Sequence, residues 1–318
     1  MSAVRRTCAT AVAVLAWAGG ASGQEPVYVQ KLSLPVAGDQ IGYGNCVTAD
    51  PHTGEVFVCD PQTNRILIFD SEGYFSHQIV AGDDLVAPQD IAVDPDGLLV
   101  VLATRARRRL PVELDFDGLF RREVPLVGLP EGSLEPSLTS IALSPRGDRL
   151  YAADVANLRL WVADRDGRVL GSADLGEGLE EDRRRDLILG HVDAYDDRVL
   201  LAVTSLGQIW IYSLDGESRG FVGQMGGSRC QLARPSAAAL DRDGNLLILD
   251  EQRMVLMRWS VRGNRCLSEH LGIGDAPGYL YYPFDLSLDT GGRLYIAQSY
   301  EGRVQVYEGL GSAPLPPR

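Results

Sequence analysis

Short runs in which apolar and polar residues alternate are separated along this chain by turns rich in Gly and Asp, and the arrangement recurs. Its clearest copy is Pro283 to Glu308, PFDLSLDTGGRLYIAQSYEGRVQVYE. Leu286 and Leu288, like Val304 and Val306, repeat with a period of two, the mark of a half-buried strand. The pattern predicts three strands, PFDLSLD, RLYIAQ and RVQVYE. A Thr-Gly-Gly turn joins the first two, and a polar loop containing Gly joins the last two.

Alignment on the residue that closes the first strand of each copy gives Asp50, Asp94, Ser144, Asp193, Asp241 and Asp289. The spacing of about 44 to 50 residues matches propeller blades and is too long for leucine-rich or ankyrin repeats. A second landmark keeps the register: the second strands end at Asp60, Ala103, Asp154, Val203, Asp250 and Gln298. Five residues later Arg65, Arg108, Arg159, Gln208, Val255 or Arg303 opens the third strand. Where both charges survive, as in Asp60 with Arg65 and Asp154 with Arg159, an ion pair across the loop is expected, with a structural role.

A fourth strand follows in most units, for example Tyr74 to Val80, Arg121 to Val127 and Ser218 to Gln224. The last unit lacks one, because the chain after Glu308 runs into the Pro-rich GLGSAPLPPR. Val27 to Leu34 alternates and has no unit ahead of it, so it is expected to pair with Arg303 to Glu308 and close a ring. Closure leaves no wet terminal face and no unpaired end. The expectation is an all-β, six-bladed β-propeller of four-stranded blades over residues 24–310, closed by an N-terminal strand in the last blade, with a short Pro-rich tail at 311–318.

The segments PQDIAVDPDG (Pro88 to Gly97), VFVCDPQTNRILIFDSEG (Val56 to Gly73) and PGYLYYPFDLSLDTGGRLYIA (Pro277 to Ala297) resemble the NHL-repeat family of six-bladed β-propellers. The resemblance covers nearly the whole chain after its first residues and implies the same fold. It implies no single function, since that family holds binding scaffolds and a few enzymes.

The N-terminal MSAVRRTCATAVAVLAWAGGASGQ has Arg5 and Arg6, an apolar run from Ala9 to Ala18, and Ala21-Ser22-Gly23 in the form of a cleavage site. Residues 1–23 therefore read as a secretory signal peptide, and the protein as exported, periplasmic or secreted. Cys8 precedes the apolar run, which argues against a lipoprotein anchor. Further on, no segment approaches the roughly 18 to 20 apolar residues that a membrane span needs. The formal net charge of -13 disfavours nucleic acid and anionic membranes as partners.

In a propeller of this kind the starts of the first strands lie at one mouth of the central channel, where ligands commonly bind. Four positions before the marker stand Cys46, Asp90, Ser140, Leu189, Ala237 and Asp285; two before it stand Thr48, Ala92, Ala142, His191, Ala239 and Ser287. His191 departs from an otherwise small set. With Asp90 and Asp285 it forms a candidate polar or cation site, the carboxylates offering oxygen and the imidazole nitrogen. The alternative role for the same residues is structural, with the aspartates capping backbone amides and His191 hydrogen-bonded in place. Tyr282 enters the same mouth with Tyr279, Tyr281 and Phe284, as a ligand contact or as packing.

IALSPRGDRLYAADVANLRLWVADRDG is also similar to the repeats of Ca²⁺-dependent lactonases, and that resemblance implies an Asn and an acidic residue near the strand starts as cation ligands. Ser140 and Ile141 occupy the corresponding neighbourhood, so the set is incomplete. Zinc-dependent lyases of similar fold need converging histidines. His52, His77, His191 and His270 are expected in an inner turn, two outer strands and one channel position.

Around the turn from Asp50 to Glu55, Cys46 falls opposite Cys59, and a disulfide is expected in an oxidising compartment. Cys230 and Cys266 are expected at opposite ends of the fifth blade, and the sequence leaves their pairing open. Arg105, Arg107, Arg108 and Arg109 should form a basic loop between second and third strands, able to dock an acidic partner. Glu177 to Asp186 reads as a long loop or short helix. The functional expectation is an exported, non-catalytic scaffold for a protein partner or small ligand in the cell envelope, with no cofactor. The alternative is a Ca²⁺-type lactonase or hydrolase at the channel mouth using Asp90, His191 and Asp285.

Overall fold

A computed structural model describes residues 25–309 except 37, 44–45, 81, 83–85 and 300–301. The expected signal peptide at 1–23 and the expected tail at 311–318 lie outside the described residues. Six four-stranded antiparallel sheets form a six-bladed β-propeller. The innermost strands are Cys46–Ala49, Val86–Val93, Leu138–Leu143, Leu189–Ala194, Pro235–Leu240 and Pro283–Leu288. Each packs on the inner strands of the blades before and after it, and the last meets the first.

Ring closure follows the sequence expectation. Val27–Lys31 pairs antiparallel with Arg303–Glu308, in a register that sets Val27 against Glu308 and Tyr28 against Tyr307. Leu32 N then donates to Val304 O. The blades stack on sheets that are apolar on both faces, which is why in blade one Val56, Val58, Leu67 and Phe69 on one face and Phe57, Ile66 and Ile68 on the other are all buried. Trp161, Tyr151, Tyr295 and Tyr307 are the largest fully buried side chains. Each aliphatic residue so buried contributes about 1.5 to 3 kcal/mol.

The turns that end the inner strands share one device. Asp94 Oδ1 accepts from Asp96 N and Leu98 N, and Asp241 Oδ1 accepts from Asp243 N and Asn245 N. Gly97 and Gly244 supply the left-handed residue at φ 81° and 76°. Blade four departs from this and corrects the alignment. There the turn is closed by Tyr195, whose N–H donates to Arg198 O at 2.8 Å, and Asp193 stands two residues earlier, opposite Leu200. Only Asp196 and Asp197 separate Tyr195 from Arg198, so this turn is shorter than the Asp-Gly turns of its neighbours.

The expected ion pair holds in blade one, where Arg65 Nε lies 2.9 Å from Asp60 Oδ2. It fails in blade three: Arg159 pairs with Asp174 at 3.3 Å, and Asp154 instead accepts from Trp161 Nε1 at 2.9 Å and from Ser137 N. In blade two the second and third strands run on as Leu99–Arg105 and Arg108–Leu114, so Arg105 faces Arg108 across a two-residue turn.

The disulfide between Cys46 and Cys59 is present. A second joins Cys230 to Cys266, with Cα atoms 5.5 Å apart, contrary to the expectation that these two stand apart. The loop entering blade five folds back along the flank of the outer strand Arg265–His270. Cys230 N donates to Glu269 Oε1, and Arg253 Nη1 bridges Glu269 and Gln231 O. The Glu177 to Asp186 region contains a short helix, Glu181–Arg185. Among the described residues no helix is long and apolar enough to cross a membrane.

Candidate functional site

Among the described residues, two cavities lie along the axis. At the strand starts is a small one of about 120 Å³, lined by Gln89, Thr139, Leu189, Gly190, His191 and Phe284. At the strand ends is one of about 560 Å³, lined by all six inner strands and the turns after them. The sequence places the binding mouth at the strand starts; the structure places the larger space at the opposite end. Leu189 and Phe284 fill the first end, and at Gly190 a Cβ would fall 2.2 Å from Ser236 O, so that end is closely packed. Ala92 and Ala142 line the other end and leave it open.

With blade four in its observed register, His191 takes the place equivalent to Cys46, Asp90, Ser140, Ala237 and Asp285, four residues ahead of each turn-closing residue. It does not belong to the layer of small residues; Asp193 does. The inner strands have no further strand at their axial edge, so their N–H groups need other acceptors. The ring supplies them across blade boundaries. Asp285 Oδ2 accepts from Val47 N at 2.8 Å, joining blade six to blade one. Asp90 Oδ2 accepts from Ile141 N at 2.8 Å and Ser140 Oγ at 2.6 Å, and Ser140 Oγ accepts in turn from Val192 N at 2.9 Å. The remaining oxygens take their own strands: Asp90 Oδ1 from Ile91 N, Asp285 Oδ1 from Leu286 N.

His191 Nδ1 lies 3.5 Å from Asp285 Oδ1, and its ring stands edge-on to Phe284 with centroids 5.1 Å apart. Burial disfavours both charges. It pushes the Asp285 carboxyl up to about 8, against the two backbone hydrogen bonds that favour the anion. The same desolvation lowers His191, opposed by the negative charge of Asp90. Both shifts favour the uncharged forms of the pair. Asp90 is raised by burial to about 6, with His191 working in the opposite direction.

Above this ring, Asp193 and Tyr195 form a second polar group that sequence reasoning missed. Tyr195 Oη donates to Asp193 Oδ2 at 2.5 Å and accepts from Leu240 N at 3.0 Å, again crossing a blade boundary. Burial raises Asp193 to about 6 and takes the Tyr195 hydroxyl well above the usual phenol value. The signal available in the sequence was the Tyr-Asp-Asp-Arg run where other repeats carry Asp or Ser followed by a Gly turn.

The other candidates are dispersed. Tyr282 is 54% exposed, sits at φ 50° edge-on to Tyr281, and lines neither cavity. His52, expected in an inner turn, lies in that turn and lines the larger cavity together with His191. His77 and His270 lie on outer strands as expected. Arg105, Arg107, Arg108 and Arg109 occupy the blade-two hairpin at the far ends of the strands from the larger cavity. Among the described residues no group of three or more His, Cys, Asp or Glu side chains is placed to hold a metal ion.

No family model and no curated protein matches the chain. Solved structures of low identity share its fold. A structural-genomics protein of unknown function from Bacteroides thetaiotaomicron is 16% identical with a TM-score of 0.68, over 90% of this chain and 76% of that one. The Cps50 (Swd1) β-propeller domain of Myceliophteria thermophila is 12% identical with a TM-score of 0.61, over 89% and 99%. A catalytically inactive virginiamycin B lyase from Staphylococcus aureus, solved with quinupristin, is 18% identical with a TM-score of 0.57, over 87% and 83%. At these identities the likeness extends to the fold alone.

Proposed function

We propose that this protein is an exported binding propeller of the NHL type that holds a small polar ligand in the larger axial cavity, without catalysis. The observation that carries the reading is the cavity of about 560 Å³. That volume lies in the range of small-molecule sites, and polar groups converge on it from several blades. The Asp193–Tyr195 pair and His191 offer donors and acceptors held in place by packing.

Export is supported by the predicted signal peptide over residues 1–23 and by the two disulfides, which persist in oxidising compartments. Periplasmic or secreted placement belongs to the same reading. Against a Ca²⁺-type lactonase, both oxygens of Asp90 and of Asp285 are engaged by backbone N–H groups. These carboxylates close the ring and are poorly disposed to surround a cation.

The test is a thermal-shift screen of sugars, nucleosides, amino acids and organic acids, followed by titration of the hits. A true ligand is expected to bind Asp193→Leu at least tenfold more weakly than the wild type, about 1.4 kcal/mol. Hits that bind Asp193→Leu and His191→Leu with unchanged affinity would place the site elsewhere. A screen with no hit would also count against the reading.

A further inference from the structure

At the opposite end of the strands from the larger cavity, blade two carries a hairpin unlike the others. In blade one the second and third strands part after Asp60 and Arg65, whereas in blade two the ladder continues past Ala103 and Leu110 to Thr104 with Arg109 and Arg105 with Arg108. The hairpin therefore projects beyond the level at which its neighbour turns. Its tip is Ala106-Arg107, with φ 48° and 67°. This is the left-handed region that two-residue hairpin turns demand and that Asn-Gly fills with least strain. Two side chains that carry a steric cost stand there instead.

The tip is cationic, with exposed apolar side chains nearby. Arg107 is exposed and among the described residues makes no hydrogen bond or ion pair. The Arg108 side chain is 53% exposed and reaches only 4.0 Å contacts with Glu123 and Glu135. Arg105 lies 3.2 Å from Glu123 and stacks 4.2 Å from the Phe120 ring centroid, while Arg109 donates to Leu138 O. Leu134, next to Glu135, is 62% exposed, and Val86, opposite Thr104, is 43% exposed.

We propose that this hairpin is a docking site for an extended, acidic segment of a partner protein, its carboxylates meeting Arg107 and Arg108 and its apolar side chains covering Leu134 and Val86. Charge complementarity selects the partner. Four arginines in five residues stand on a chain of net charge -13. That overall charge repels nucleic acid and anionic membranes at long range, yet leaves a short-range attraction for carboxylates at the tip. The planar guanidinium suits bidentate pairing with a carboxylate. The site is independent of the axial cavity, so either can fail without the other.

The experiment is selection from a random peptide display library on the wild-type protein and on R107E/R108E, with fluorescence anisotropy of the enriched peptides. Both substitutions are at exposed positions, and an unchanged thermal transition checks the fold. The expected result is enrichment, on the wild type only, of peptides in which Asp or Glu alternates with apolar residues. Their affinity should fall at least tenfold in R107E/R108E, weaken with added salt, and fall again in Leu134→Ser. The same peptides selected on both proteins, or enriched peptides without acidic residues, would overturn the proposal. So would preferential binding to phosphatidylglycerol vesicles or to a single-stranded oligonucleotide.

Discussion

Asp285→Ala is expected to lower the unfolding free energy by about 2 to 6 kcal/mol. The substitution removes the acceptors of two buried N–H groups, Val47 and Leu286, and each orphaned donor costs about 1 to 3 kcal/mol. One of those bonds ties the last blade to the first, so the loss falls on the seam that closes the ring. Asp285→Asn keeps the volume and one acceptor, and should lose about half as much. Urea denaturation at pH 6 measures both, and a loss below about 1 kcal/mol for the alanine variant would mean that the seam does not depend on this carboxyl.

The same residue sets a pH dependence whose sign can be worked out. Asp285 is raised to about 8 in the folded protein, against roughly 3.9 for an unperturbed aspartate. Between those values the folded state holds a proton that the unfolded state has released. Its contribution is therefore complete at acid pH and is lost as pH rises toward 8. Asp90 and Asp193, raised to about 6, act in the same direction over a lower window. His191 opposes them at acid pH, since its lowered pKa makes stability fall as pH drops below roughly 6.5. From about pH 6.5 to 8 Asp285 acts nearly alone. There stability should decline by up to about 1.4 kcal/mol per pH unit, and Asp285→Asn should flatten that slope. A wild-type profile already flat over this window would sink the assignment.

The second large effect is expected from the disulfide between Cys230 and Cys266, which spans a sequence separation of 36. Closing a loop of that size restricts the unfolded chain by about 4 kcal/mol, against about 3 kcal/mol for the shorter Cys46–Cys59 loop. The double variant C230S/C266S should lose stability approaching the larger figure, and reduction should then cost the wild type more than the variant, which has only Cys46–Cys59 left to lose. The entering loop is also held by Glu269 and Arg253, so its path should persist and the fold should survive. Equal denaturation midpoints for variant and oxidised wild type would show that the bridge carries no stability.

The strand pattern was legible because alternation reports which residues face a neighbouring blade, and the Asp-Gly turns mark where each hairpin reverses. Blade four shows the limit. Taking Asp193 for Tyr195 is a slip of two residues, and a slip of two leaves every side chain on its correct face. Periodicity could not detect it, yet it moved His191 out of the axial ring that it shares with Asp90 and Asp285. The Cys230–Cys266 bridge was hidden for another reason: it depends on the path of an irregular loop, which carries no period. The position of the larger cavity was hidden because it depends on how Leu189 and Phe284 fill one end of the axis while Ala92 and Ala142 leave the other open.

The sequence by itself determined six repeats, their strands, the closing role of Val27–Lys31 and the Cys46–Cys59 pair, because each follows from local alternation, turn chemistry or pairing across a single hairpin. Only the tertiary structure decided which end of the axis is open, that Asp90 and Asp285 spend their oxygens on the edges of neighbouring blades, and that Tyr195 reaches across to Leu240. Those contacts join residues far apart in the chain, and their energy depends on burial and distance, neither of which a linear pattern contains.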